Sequence, residues 1–149
     1  MFDRINRLFE KSRRDKHRFG ILFVDLNDFK IINDHYGHLI GDKVLILISD
    51  ILLDSIRPFD MVSRYGGDEF IILIEHIKDE SELSLIRNRI SKSIELNEMT
   101  FNGTIRDLKI NITASIGTAS SNTAYNAENL IGLADLDLYE QKRLKNARK

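Results

Sequence analysis

Three carboxylates and a lysine carry the chemistry that this sequence offers most clearly. Asp25 sits near the C-terminal end of an apolar run, Phe19 to Leu26, and Asp68 and Glu69 lie in Arg64-Tyr65-Gly66-Gly67-Asp68-Glu69-Phe70. There is no cysteine, and no histidine cage accompanies these acids. Oxygen ligands alone suit a hard cation such as Mg²⁺, with Mn²⁺ as the alternative. Mg²⁺ held by one or two carboxylates usually also holds substrate phosphates. Two such ions can stabilise an in-line displacement at phosphorus, and metal coordination can turn a hydroxyl into a nucleophile. Lys30, five residues after Asp25, can meet phosphate as a point cation. Asn33 and Asp42 match a guanine edge: the amide donates to a base acceptor and the carboxylate accepts from its N–H groups. Plainer readings stand beside each. Gly-Gly-Asp alone also suits a polar hairpin, Lys30 alone a surface lysine, and Asn33 or Asp42 alone a turn or cap residue.

The elements that must position these groups follow from hydrophobic period. Phe2, Ile5, Leu8 and Phe9 predict an amphipathic helix over 2 to about 17, with a basic outer side that reads as a solvated face. The run at 20–26 predicts a strand buried on both faces. Asp25 sits near its C-terminal end, where open sheets place ligand sites. A helix is expected from about Asp42 to Asp54, with Asp42 at its N-cap or in its first turn. Strands at 61–65 and 69–75 flank the Gly-Gly pair as a hairpin. A helix follows over about Glu80 to Leu96, a turn at Asn102-Gly103, a strand over Lys109 to Ala119, and a last helix from near Asn126. This order predicts an α/β or α+β fold: one sheet with helices packed against it. If the Asp25 strand neighbours the hairpin, the three carboxylates converge at one sheet edge.

Bulk properties narrow the function classes. The 149 residues fit one domain with a real core. With 22 basic and 23 acidic residues the net charge is -1, so no global basic field recruits nucleic acid. Without cysteine there is neither a disulfide frame nor a thiolate site. No apolar run approaches a membrane span and no signal-peptide pattern opens the chain. A cytoplasmic domain without membrane contact of its own is expected.

Taken together, these residues resemble the GGDEF family of diguanylate cyclases along essentially the whole chain. Besides residues 64–70, the run from Asp25 to Asp42 is similar to the family's D-x-D-x-F-K-x-I-N-D-x-x-G-H-x-x-G-D. Thr113-Ala-Ser115-Ile-Gly117 resembles its T-x-S-x-G strand, and Ala134-Asp135 with Leu138-Tyr139 and Lys142 resembles its closing A-D-x-x-L-Y-x-x-K helix. The resemblance implies a palm-like cyclase fold with a central, mostly antiparallel sheet wrapped by helices. It implies condensation of two GTP into cyclic di-GMP and two pyrophosphates by attack of a 3′-hydroxyl on an α-phosphate. Each domain binds one GTP, so a homodimer is needed for catalysis. Asp25, Glu69 and the carbonyl of Leu26 are then the metal ligands. Asp68 is the base or a further metal contact, and Lys30 stabilises phosphate charge. Asn33 and Asp42 read guanine, His38 is a substrate contact or support, and Lys142 reaches the phosphates. Arg57-Pro58-Phe59-Asp60 matches the family's R-x-x-D inhibitory site for cyclic di-GMP, with Arg87 or Arg89 as a second arginine.

Two departures matter. Asn27 stands where the family has the second acid of D-x-D. Lys142-Arg143-Leu144-Lys145-Asn146 lacks the glycine of K-x-x-G-R/K-N, which bears on Lys145 as a phosphate contact. The segment that usually precedes this region in the family is also missing, so an excised catalytic domain spanning residues 1–149 is expected, its parent adding an N-terminal sensory or dimerisation part. The alternative is a catalytically weak module that binds GTP or cyclic di-GMP. A third reading is another nucleotidyl cyclase on the same fold.

Overall fold

The computed structural model describes residues 1–15, 17–101 and 108–147, of which 145 and 146 by backbone only. The elements run α1 (Phe2–Asp15), β1 (Phe19–Leu26), α2 (Phe29–Tyr36), α3 (His38–Asp54), β2 (Met61–Arg64), β3 (Glu69–Glu75), α4 (Glu80–Leu96), β4 (Met99–Phe101), β5 (Leu108–Ile110), β6 (Ala114–Ser120) and α5 (Ala127–Asn146). Four strands form an antiparallel sheet ordered β2-β3-β1-β6, and β4 pairs with β5 in a separate ribbon. This is the expected α+β architecture, a mostly antiparallel sheet wrapped by helices.

Side chains alternate across a strand, and here both sheet faces are covered. Leu22, Val24, Ile72 and Ile74 join the core beneath α3 and α4. Ile21, Phe23, Ile71 and Leu73 join the core beneath α1 and α5. That double coverage is why β1 and β3 read as nearly continuous apolar runs. Burying each such side chain contributes about 1.5–3 kcal/mol. The helix expected at 80–96 has those bounds; Asp79 caps it by accepting from the Ser81 N–H at 2.9 Å.

Two expectations change. Gly37, at φ 82°, ends α2 and starts α3 at once, so the helix begins at His38 and Asp42 lies one turn in, past the cap. The strand expected over 109–119 divides into β5 and β6. Ile110, Ile112, Ala114 and Ile116 do share one core, but the chain leaves the β4–β5 ribbon between them to reach β1. The Asn102-Gly103 turn lies outside the described residues. Among the described residues, no helix is long and apolar enough to cross a membrane.

Candidate functional site

Strand register brings Asp25 and Glu69 side by side. Asp25 on β1 is the direct partner of Glu69 on β3, and on its other side of Ser115 on β6. Beyond the last pair, the Leu26 N–H donates to the Asp68 carbonyl at 3.3 Å, tying the hairpin tip to the end of β1. The hairpin is closed by Tyr65 N–H donating to the Glu69 carbonyl at 2.8 Å. The Arg64 guanidinium donates to the carbonyls of Gly66 and Gly67. A Cβ on Gly66 would stand 2.6 Å from Glu69 Oε2. Glycine there leaves room for the carboxylate to fold over the turn, whereas Gly67 borders open space. Burial pushes the Glu69 carboxyl up, and the charges of Asp25, Asp68 and Asp135 push it further, with Lys142 opposing them.

Lys142 arrives from α5. Its Nζ lies 2.6 Å from Asp25 Oδ1. The helix is seated tightly: a Cβ on Gly117 would collide with the Ala134 carbonyl and the Leu138 backbone. At the position of the missing acid, Asn27 spans β1 and β6. Its Nδ2 donates to Thr113 Oγ1 at 2.8 Å, its Oδ1 accepts from Ser115 Oγ at 2.8 Å, and its N–H donates to the Thr113 carbonyl at 2.8 Å. The Lys145 side chain lies outside the described residues.

The α2–α3 corner carries the nucleotide-reading candidates. The Asn33 amide lies against Gly41, where a Cβ would collide with Asn33 Oδ1, and Gly41 precedes Asp42. Lys30 in the first turn of α2, and His38 and Asp42 on α3, are exposed. Exposure leaves them open to a ligand, and among the described residues no side-chain hydrogen bond or ion pair ties them to the carboxylate end.

The Arg57–Asp60 turn precedes β2. Asp60 is buried, and its two oxygens accept from the N–H groups of Arg57 at 3.1 Å and Glu75 at 3.0 Å. Burial pushes its carboxyl up, with both N–H bonds opposing the shift. The Arg57 guanidinium pairs with Glu82 at 2.9 Å. Of the two arginines offered as its companion, Arg89 lines a cavity of about 290 Å³ with Arg57, Asp54 and Ser55. Arg87 faces Asp137 at 3.6 Å instead.

Asp135, which the sequence places in the closing-helix motif without a site role, belongs to the site. It shares a cavity of about 300 Å³ with Phe2, Phe23, Tyr65 and Glu69, and adds its charge to the site. The seven-residue spacing from Asp135 to Lys142, two turns on one helix face, was the available signal. Among the described residues, no group of three or more His, Cys, Asp or Glu side chains is gathered so that it could hold a metal ion by itself. Two opposed carboxylates with concentrated negative charge, one of them already paired to an ammonium, fit the open kind of Mg²⁺ site that substrate phosphates complete.

Comparison with known proteins agrees with this geometry. The family model for the diguanylate cyclase GGDEF domain matches residues 1–148. Diguanylate cyclase A of Treponema denticola is 37% identical over 133 residues, covering 89% of this chain and 34% of that protein. Diguanylate cyclase DosC of Escherichia coli K12 is 39% identical over 141 residues, covering 91% of this chain and 30% of that protein. The chain thus spans about a third of the length of these relatives. Among solved structures, the GGDEF domain of YfiN (TpbB) from Pseudomonas aeruginosa superposes with a TM-score of 0.86 at 28% identity, covering 95% of this chain and 86% of that one. The GGDEF domain of DgcB from Caulobacter crescentus, solved with c-di-GMP, gives 0.85 at 25% identity, covering 95% and 81%. With the family model spanning residues 1–148 and relatives 37% and 39% identical over most of its length, the chain belongs to the diguanylate cyclase GGDEF-domain family.

Proposed function

We propose that the chain is the catalytic unit of a diguanylate cyclase, joining two GTP into cyclic di-GMP with release of two pyrophosphates. The observation that carries this reading is the direct pairing of Asp25 with Glu69 beside Asp68. Asp25, Glu69 and the Leu26 carbonyl would hold Mg²⁺, or Mn²⁺. When bound, the ion supplies positive charge to the triphosphate and to the attacking oxygen. Asp68 takes the proton of the 3′-hydroxyl as its oxygen bonds to the α-phosphorus and the bond to pyrophosphate breaks. Lys30 and Lys142 offset the charge on the phosphates. Asn33 and Asp42 orient the base, with Gly41 letting Asn33 sit close, and His38 borders them. Each chain holds one GTP, so two chains face each other and the step occurs twice. The chain spans about a third of its curated relatives, and we assign input sensing and dimer alignment to an N-terminal part of a longer, cytoplasm-facing parent.

Product inhibition is placed at Arg57 and Asp60, with Arg89 beside them. The likeness to a GGDEF domain solved with c-di-GMP supports this. Asp60 already accepts two backbone N–H bonds, so Arg57 is the group that must exchange Glu82 for a product phosphate.

A second reading, a nucleotide-binding module, is favoured by the lysine already paired with Asp25 and by Asn27. Incubation with GTP and Mg²⁺ and separation of products decides between them. Formation of cyclic di-GMP, lost in Asp68→Ala/Glu69→Ala, supports the cyclase. Nucleotide binding without product supports the module, and product from the double variant overturns the site.

A further inference from the structure

We propose that the outer face of α3 is a self-association surface that seats the same face of a second copy in antiparallel orientation. Leu39, Ile46 and Leu53 are 81%, 62% and 52% exposed and recur every seven residues of α3. Seven residues come within about 20° of two full turns, so the three side chains form one line. The line lies opposite the buried stripe of Gly41, Val44, Ile48 and Leu52. A surface helix ordinarily presents polar residues on that side. Single exposed apolar residues need no partner; three aligned on one helix face give a second copy a matching apolar line to cover.

Charge selects the occupant. Lys43 and Asp50 flank the line on one side, three residues before and four after Ile46. Among the described residues neither joins an ion pair. They stand about 10 Å apart along the axis, at 1.5 Å per residue, too far to pair with each other. A two-fold axis through Ile46, perpendicular to both helices, sets Leu39 against Leu53 of the second copy and Ile46 against Ile46. The same operation brings each Lys43 beside an Asp50, because it keeps both residues on the same flank. This is the self-complementarity an isologous contact requires. A parallel pairing would instead spend Lys43 on Asp42, the candidate guanine reader, and leave Asp50 unmatched. Antiparallel helices also oppose their dipoles. One helix face makes a small contact, so the association is weak and concentration-dependent. α3 also carries His38 and Asp42, but the contact itself rests on Leu39, Lys43, Ile46, Asp50 and Leu53 and needs no nucleotide.

Sedimentation of the nucleotide-free chain over a range of concentrations tests this. The chain should pass from monomer to dimer, and Ile46→Asp should remain monomeric with an unchanged circular dichroism spectrum. Lys43→Asp or Asp50→Lys alone should weaken the dimer roughly ten-fold, and the two together should restore it. The chain contains no cysteine, so single cysteines read the orientation. Leu39→Cys mixed with Leu53→Cys should form a disulfide, and either alone should not. A wild-type chain that stays monomeric, an Ile46→Asp chain that associates like wild type, or the reverse cysteine pattern would overturn the proposal.

Discussion

The ammonium of Lys142 lies 2.6 Å from the carboxylate of Asp25, although 117 residues separate them. A lysine on α5 therefore holds, at the end of β1, the charge position that we propose for a divalent cation. Both side chains are partly open to solvent, at 37% and 18%, which limits the pair to about 0.2–1 kcal/mol.

Lys142→Met should accordingly tighten Mg²⁺ binding to the nucleotide-free chain by up to about five-fold, the equivalent of that pairing energy. It should also lower turnover of GTP at least roughly ten-fold, because phosphate charge loses its partner. Calorimetry with Mg²⁺ alone and steady-state rates separate the two effects. Weaker Mg²⁺ binding in the variant would show that Lys142 does not compete for the cation position.

Asn27 bonds both Thr113 and Ser115 through its side chain. An aspartate can accept from both hydroxyls, so Asn27→Asp should keep the strand connection and change turnover and Mg²⁺ dependence less than about three-fold. Asn27→Ala removes two hydrogen bonds worth about 0.5–1.5 kcal/mol each and should lower the unfolding free energy by their sum. Denaturant titration and Mg²⁺ titration of the rate check both. A large gain in Mg²⁺ affinity for Asn27→Asp would instead make this position a metal ligand.

Gly41→Ala should displace the Asn33 amide, since the added methyl would collide with Asn33 Oδ1. The loss should appear as a KM for GTP raised roughly ten-fold, the size expected for a misplaced base-reading hydrogen bond. Discrimination of GTP against ATP should fall in parallel. Unchanged kinetics would remove Asn33 from base recognition.

Burial pushes the Asp60 carboxyl above its ordinary value. The folded chain therefore holds that proton more tightly than the unfolded chain does. The stabilisation is fully present below the ordinary aspartate value and is lost as pH rises through the raised folded value. Asp60→Asn cannot titrate, so wild-type minus variant stability should decline with rising pH in the window just above the ordinary aspartate range. Thermal unfolding at a series of pH values measures it. A difference independent of pH would mean that burial does not govern this carboxyl.

Local period and residue chemistry made most of the framework legible before any coordinates. The apolar run ending at Asp25, the Gly-Gly hairpin, and the helix over 80–96 all follow from alternation, turn chemistry and 3.6-residue spacing. The division of 109–119 into two strands was not legible, because Ile110 to Ile116 keep a strand period across a break that only the ribbon of β4 and β5 explains. The helix over Phe29–Tyr36 was equally hidden. It is only eight residues long, and Gly37 alone separates it from α3.

By itself the sequence determined which groups this protein offers at its candidate site: hard oxygen ligands, lysines, an amide and a carboxylate suited to a base, and strands apolar on both faces to hold them. Side-chain type and short-range spacing decide those matters, and both are written along the chain. Only the tertiary structure decided that Asp25 faces Glu69 and is met by Lys142, that Asn27 binds β1 to β6, and that Asp60 turns inward. Those relations depend on strand register and on the seating of α5 against Gly117, where one residue of slip moves a side chain to the other face of the sheet. The physical reason is that a pairing across 117 residues is set by the packing of the whole core, and no local pattern encodes it.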